Sequence, residues 1–157
     1  MSVELRLSDP LPTGRLDAAH YRALHKHMFQ DVYGWAGKPR GVRIHKGDST
    51  FCYPENILRQ MDEAFADLAR QNYLRGLSKP DFVRAAAAFM AWLNHIHPFR
   101  EGNGRTMNTF MAMLAQQAGH ELDVRRIERA PYVAAMVASY QGDEGPLAAK
   151  IESWISS

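Results

Sequence analysis

Residues 97–106 read HPFREGNGRT and combine groups that could do chemistry with groups that could bind an anion. Gly102 and Gly104 let the backbone turn tightly and present its N–H groups without side-chain obstruction. A helix that follows such a turn directs its N-terminal N–H groups and positive dipole end to the same place. Arg105 adds a fork of donors suited to phosphate oxygens. The stretch therefore predicts a phosphate-binding loop, although it lacks the GxxxxGK[ST] sequence of a P-loop.

Two side chains of this loop could serve the reaction itself. Glu101 is the carboxylate of the loop, and one carboxylate with phosphate oxygens and waters is a normal Mg²⁺ shell. A histidine side chain ordinarily changes charge near neutral pH, so His97 could take a proton from an attacking hydroxyl group. A metal pair of His95 and His97 is disfavoured, because alternate positions on a helix do not face one another. A histidine before a proline is often only a cap, but the ordered set of ten residues predicts transfer of a phosphate-containing group.

The elements that position this loop are predicted to be mostly helical. Apolar residues recur at helical spacing in several segments, and prolines and glycines separate them. The predicted helices are residues 16–33, a helix from Glu55, a helix capped by Ser78 and ended before Pro98, residues 106–118 capped by Gly119, residues 131–140 and residues 147–155. Val42, Ile44, Phe51 and Tyr53 alternate around a turn at residues 46–48, which predicts a short β-hairpin. The predicted fold class is all-α, a compact helical domain with one small β-hairpin flap.

The composition excludes several classes of protein. The 157 residues are 46% hydrophobic and 23% charged, which is typical of a globular chain rather than a disordered one. The net charge is +2 without a basic block, so no direct nucleic-acid partner is expected. No segment has the apolar run of a signal peptide or a membrane span. With Cys52 as the single cysteine, we expect a cytoplasmic protein without a membrane partner, forming one domain over residues 1–157 with its core at about residues 16–140.

The loop HPFREGNGRT resembles the signature loop of the Fic (Fic/Doc) family, whose members mostly transfer AMP from ATP to protein hydroxyl groups. Residues 24–57, LHKHMFQDVYGWAGKPRGVRIHKGDSTFCYPENI, are also similar to the entry helix and flap of that family. The resemblance covers residues 24–114. It implies a protein adenylyltransferase with a Fic-type helical domain, which uses ATP and Mg²⁺ and modifies a Ser, Thr or Tyr hydroxyl of a target protein.

The resemblance also implies roles for individual residues. His97 is expected to be the catalytic base, Glu101 the Mg²⁺ ligand, and Phe99 the buried anchor of the loop. The expected nucleotide-binding residues surround the phosphates and line the same pocket: Asn94, Gly102, Asn103, Gly104, Arg105, Thr106 and Asn108. The flap is expected to align the backbone of the target by strand addition, and its residues are Lys46, Gly47, Asp48, Ser49, Thr50, Phe51, Cys52 and Tyr53.

Two features of the chain depart from the family pattern. Many AMP-transferring members carry a second arginine where this chain has Asn108. This leaves open a Doc-like transfer of a different phosphate-containing group, or a catalytically silent module that binds a nucleotide or a protein. The inhibitory motif of the family, Ser or Thr followed four residues later by Glu and then Gly or Asn, is not matched by Ser139, Asp143 and Glu144. Any inhibitor is therefore expected to be a separate, small antitoxin-like chain.

Overall fold

The computed structural model describes residues 2–46 and 49–156. Within these ranges the chain forms seven α-helices and one pair of short strands. The helices are α1 (Val3–Ser8), α2 (Ala18–Phe29), α3 (Ile57–Arg70), α4 (Lys79–Ile96), α5 (Asn103–Gln117), α6 (Arg129–Tyr140) and α7 (Gly145–Trp154). Short 3₁₀ turns lie at Pro54–Asn56, Asn72–Leu74 and Val124–Arg126. The predicted all-α fold is confirmed.

Helix α4 lies at the centre of the fold and leads directly into the loop. Its N-cap is Ser78, whose hydroxyl accepts a hydrogen bond from the backbone N–H of Asp81 at 3.4 Å, as the sequence predicts. The helix packs against α3, α5, α6 and α7. Its buried residues form an apolar stripe along most of its length: Phe82, Val83, Ala86, Ala87, Phe89, Met90, Leu93 and Ile96. The end of α4 is therefore held rigidly where the loop begins.

Aromatic rings join α2, α3 and α5 beneath the loop. Tyr21 of α2 lies edge-on to Phe110 of α5, with ring centroids 5.4 Å apart. Phe65 of α3 is edge-on to the same Phe110 at 5.5 Å. Fully burying one such side chain contributes about 1.5–3 kcal/mol. This cluster fixes α5, whose N-terminus follows the loop, against the helix that precedes the flap.

The N-terminal part of the chain differs from the prediction. Helix α2 ends at Phe29 rather than at residue 33, and Val32, which lies within the predicted helix, is 52% exposed. Helix α1 was not predicted. Its Arg6 donates from Nε to Oδ2 of Asp31 at 2.7 Å, so the segment after α2 anchors α1.

The predicted hairpin region contains two short antiparallel strands, β1 (His45–Lys46) and β2 (Ser49–Thr50). Residues 47 and 48 of the turn predicted at residues 46–48 lie outside the described residues. Beyond β2 the alternating pattern does not continue as a strand. The backbone N–H of Phe51 donates to the carbonyl of Ile44 at 3.2 Å, and the chain then enters the 3₁₀ turn.

Among residues 2–46 and 49–156, no helix combines the length and apolar character that crossing a bilayer requires.

Candidate active site

His97 caps the C-terminus of α4 in a left-handed conformation, with φ 47° and ψ 64°. Few residues other than glycine adopt this geometry, because the Cβ atom comes close to the following carbonyl. The backbone N–H of His97 still donates to the carbonyl of Leu93 at 2.9 Å. Its half-buried ring stacks on Phe51 of the flap, with centroids 4.0 Å apart and planes 10° from parallel. The loop therefore presents the candidate base between α4 and the flap.

Phe99 and Asn103 hold the loop in shape. The side chain of Phe99 is fully buried, which places the anchor where the resemblance predicts it. The Asn103 side chain spans the loop, since Oδ1 accepts from the N–H of Phe99 at 3.0 Å and Nδ2 donates to its carbonyl at 2.7 Å. The Asn103 amide is thus engaged with the loop backbone at the first turn of α5.

His25 supports the loop from α2, and sequence reasoning missed it. Its ring stacks on Phe99 with centroids 3.8 Å apart. The N–H of Gly37 donates to Nδ1 at 2.9 Å, so the second ring nitrogen, Nε2, carries the proton and donates to the carbonyl of Glu101 at 2.8 Å. Burial lowers the pKa of His25, which favours this neutral form. The sequence feature that could have identified His25 is its position four residues after Tyr21 and four before Phe29, on the buried face of a helix.

Gly102 turns the chain into α5 with φ 82°, a conformation that side-chain-bearing residues rarely adopt. A Cβ atom at this position would lie 2.4 Å from Cε2 of Phe29. Gly104 differs, because a Cβ there would meet nothing within 4 Å among the described residues. Only the first glycine is therefore required by both backbone geometry and space.

We expect Gly102→Ala to destabilise the protein by about 1–2 kcal/mol through the left-handed backbone, with a further cost from the contact with Phe29. Gly104→Ala is the matched control and should have a smaller effect, since its backbone is helical and its Cβ would be unobstructed. Urea unfolding of both variants measures the difference in the free energy of unfolding. Equal stability of the two variants would contradict this account of the loop.

The first turn of α5 carries the predicted phosphate ligands. Arg105 is exposed and forms an ion pair with Glu4 of α1 at 3.3 Å. Thr106 is fully buried, and its Oγ1 donates to the carbonyl of Gly102 at 2.8 Å. Its side chain therefore stabilises the start of the helix, and its expected nucleotide contact stays a prediction. Within the described part of the chain, the buried Oδ1 atom of Asn108 has no hydrogen-bond partner.

A pocket opens beside His97, between the flap, α4, α5 and α6. Of the predicted site residues, Asn94, His97, Asn103, Gly104 and the flap residue Phe51 line it, whereas Glu101, Gly102, Arg105, Thr106 and Asn108 do not. The remaining lining is mostly apolar or aromatic: Tyr21, Leu93, Met107, Tyr132, Val133, Met136, Val137 and Tyr140. Such a lining suits the flat, largely apolar faces of a ligand, with polar groups at one end. The residues of α6 were missed because they form no recognisable sequence motif.

Arg40 links the loop to the flap and was also missed. Its side chain donates to four backbone carbonyls: His97 at 2.7 Å, Val42 and Cys52 at 2.6 Å each, and Ile96 at 3.1 Å. Two of these carbonyls lie at the C-terminal end of α4, where the helix dipole is negative and favours a cation. Burial lowers the pKa of Arg40, but the group remains charged because arginine stays protonated in proteins.

The carboxylates and histidines of the described residues do not form a metal cage. Among the described residues, no group of three or more His, Cys, Asp or Glu side chains is close enough to hold an ion. Glu101 is exposed on the loop, and its backbone carbonyl accepts a hydrogen bond from His25. A metal here would therefore take one protein carboxylate and receive its other ligands from water or a bound anion, as Mg²⁺ commonly does.

A family model described as the Fic/DOC family matches residues 15–115 of the chain. This range is more than half of the chain and contains the loop, the flap and α2 to α4. The chain belongs to the Fic/DOC family. The resemblance seen in the loop sequence is thereby confirmed.

Relatives in the Fic/DOC family carry an activity in their names. The probable protein adenylyltransferase y4lH of Sinorhizobium fredii is 51% identical, and the alignment covers 96% of this chain and 79% of that protein. The protein adenylyltransferase VbhT of Bartonella schoenbuchensis is 41% identical over 88% of this chain, which spans 29% of the length of VbhT.

Solved Fic structures share the whole fold. BepC of Bartonella tribocorum, with bound AMPPNP, superimposes with a TM-score of 0.84 at 28% identity and covers 98% of this chain and 80% of its own. An N-terminal Fic domain of Bartonella quintana, with bound ADP, gives a TM-score of 0.85 at 30% identity and covers 98% of this chain and 78% of its own. Adenine nucleotides thus occupy proteins with this Fic fold.

Proposed function

We propose that this chain is a protein adenylyltransferase that transfers AMP from ATP to a hydroxyl group of a target protein. The observation that carries the proposal is the placement of His97, which lines the pocket between the flap and the N-terminal turn of α5. The name of the 51% identical relative supports the same activity. We further propose that residues 1–157 act as one Fic domain with its core at about residues 16–140.

The proposed reaction forms one bond and breaks one bond. His97 takes the proton of the target hydroxyl, and the hydroxyl oxygen attacks the α-phosphorus of ATP. The bond between the α-phosphorus and the oxygen that bridges to the β-phosphate breaks, and pyrophosphate leaves. The N-terminal N–H groups of α5 and the guanidinium of Arg105 stabilise the phosphate charge.

We propose that Mg²⁺ binds with the nucleotide and that Glu101 is its protein ligand. The support is the chemistry of the loop, where the exposed Glu101 carboxylate lies near the α5 N-terminus. When bound, the ion neutralises phosphate charge. The hydrogen bond from His25 to the backbone carbonyl of Glu101 fixes the part of the loop from which the carboxylate extends.

Glu101→Ala is expected to weaken Mg²⁺-dependent nucleotide binding several-fold, because a direct ligand of the ion is lost. Excess Mg²⁺ should partly restore binding if affinity is the only loss. Calorimetric titration of the wild type and the variant with AMPPNP, with and without Mg²⁺, measures this. Identical nucleotide affinity of the wild type under both conditions would argue against a metal-bridged site.

We propose that the target presents a Ser, Thr or Tyr hydroxyl and docks its backbone on the flap, residues 46–53. Strand addition uses main-chain groups, so the flap selects extended segments more than particular side chains.

We also propose a separate, small antitoxin-like inhibitor, since no inhibitory motif is found in the sequence. The buried thiol of Cys52 fits a reducing compartment, and we propose that the reaction takes place in the cytoplasm.

A second candidate function is favoured by Asn108, where many AMP-transferring relatives are expected to have arginine. A neutral residue there could admit another donor or a reversed nucleotide that delivers a phosphoryl group. Mass spectrometry of lysate proteins after incubation with the purified chain and ATP separates the candidates. A mass increase of one AMP on an acceptor supports adenylylation, an increase of one phosphate supports the second candidate, and an unchanged lysate supports a silent binding module.

A further inference from the structure

The outer edge of strand β2 is occupied by a side chain of the same molecule. The backbone N–H of Thr50 donates to the hydroxyl oxygen of Tyr140 at 2.8 Å, and that hydroxyl donates to the carbonyl oxygen of Thr50 at 2.5 Å. Tyr140 is the last residue of α6, ninety residues further along the chain. One hydroxyl therefore satisfies both main-chain groups of a single strand residue.

The register of the two strands shows that these groups point away from β1. Thr50 pairs with His45, and the N–H of the next residue, Phe51, donates across the pair to Ile44 at 3.2 Å. Hydrogen-bonded and non-hydrogen-bonded pairs alternate along an antiparallel ladder. The pair of Thr50 and His45 is thus the non-hydrogen-bonded kind, and the N–H and carbonyl of Thr50 face outward. They are the groups that a third, added strand would bind.

Tyr140 also belongs to the pocket of the candidate base. Its ring lines the same cavity as His97 and lies edge-on to Phe51, with centroids 6.1 Å apart. Phe51 in turn stacks on the His97 ring. The outer edge of β2 and the position of the base are therefore connected through one aromatic side chain.

We propose that the Tyr140 hydroxyl competes with the target protein for the outer edge of β2. An extended segment of the target protein displaces the hydroxyl from Thr50. The proposal rests on the proposed function and names the residue that sets target affinity at the flap. The hydroxyl accepts and donates at one residue, as a residue of an incoming strand does. The partner that fits this edge is an extended peptide segment whose N–H and carbonyl take the place of the hydroxyl.

Tyr140→Phe tests the proposal because it removes the hydroxyl and keeps the ring that lines the pocket. The KM for the acceptor protein, purified from a lysate labelled by the wild type, should fall by at least about threefold, because both competing hydrogen bonds are lost. The change should exceed any change in the KM for ATP. Hydrogen exchange of the Thr50 amide should become faster in the variant without ligand. Tyr73→Phe, which removes a hydroxyl in the turn between α3 and α4, is the matched control and should leave this amide unchanged.

The outcomes separate the two proposals. A KM for the acceptor that is unchanged or higher in Tyr140→Phe, with transfer intact, overturns the competition and leaves the adenylyltransferase function standing. Unchanged exchange at Thr50 also overturns it, because the hydroxyl then does not hold the edge. If neither the wild type nor the variant labels any acceptor, the proposed function fails and the competition falls with it.

Discussion

Replacing His97 with alanine is expected to lower the rate of target modification by at least about 100-fold, the lower end of the range for general base catalysis. The imidazole lines the pocket, and no other histidine does so among the described residues. The loop should keep its shape, because Phe99 and Asn103 fasten it through groups that the substitution leaves in place. The fold and the nucleotide affinity should therefore change little.

The assay for His97→Ala measures incorporation of label from ATP into an acceptor protein, with nucleotide binding followed by calorimetry. His95→Ala is a matched control, since His95 is an exposed histidine two residues away that does not line the pocket. We expect it to cost far less activity. Retained transfer in His97→Ala would eliminate this histidine as the base.

Asn108→Arg is expected to raise ATP affinity or the transfer rate by about tenfold or more. Residues 105 and 108 lie three apart in α5, so they are neighbours on the helix surface. Residue 108 can thus reach the far end of a phosphate chain held by Arg105. A hydrogen bond to a charged group contributes about 1.5–3 kcal/mol, and 1.4 kcal/mol corresponds to a factor of ten. The buried Oδ1 of Asn108, which lacks a partner among the described residues, is also removed.

A radiolabelled-ATP transfer assay compares Asn108→Arg with the wild type on the same acceptor. Asn108→Ala is the control, because it removes the amide without adding a cation, and it should not reproduce the gain. Thermal unfolding of both variants shows whether the half-buried position tolerates the larger side chain. An arginine variant that is folded but equal or slower would indicate a donor pose in which the terminal phosphate does not lie near residue 108.

The elements that were predicted correctly are those marked by characteristic residues close together in the sequence. Ser78 lies three residues before Asp81 at the start of a long apolar stripe, and it caps α4 as predicted. The loop was recognised because its residue types are unusual together, and Phe99 is buried as its anchor. Helix α5 begins at Asn103, three residues before the predicted start, because a glycine-rich stretch does not reveal its first helical residue.

The residues that were missed depend on partners distant in the chain. Arg40 lies in a segment whose sequence predicts a turn. Its burial is explained by the carbonyls of Ile96 and His97, which are distant in the chain and accept hydrogen bonds from its side chain. Helix α1 has six residues and is too short to show a period, and its anchor, Asp31, lies beyond α2. The burial of the Thr106 side chain was likewise not evident from the motif, which predicts nucleotide contact at this position.

The central claim, AMP transfer that depends on His97, is tested most directly with two labelled forms of ATP. Lysate is incubated with the wild type or His97→Ala, and with ATP labelled at either the α-phosphate or the γ-phosphate. We expect the wild type to transfer the α label to protein and not the γ label, and His97→Ala to transfer neither. Transfer of the γ label by the wild type, or equal α labelling by both proteins, would contradict the account.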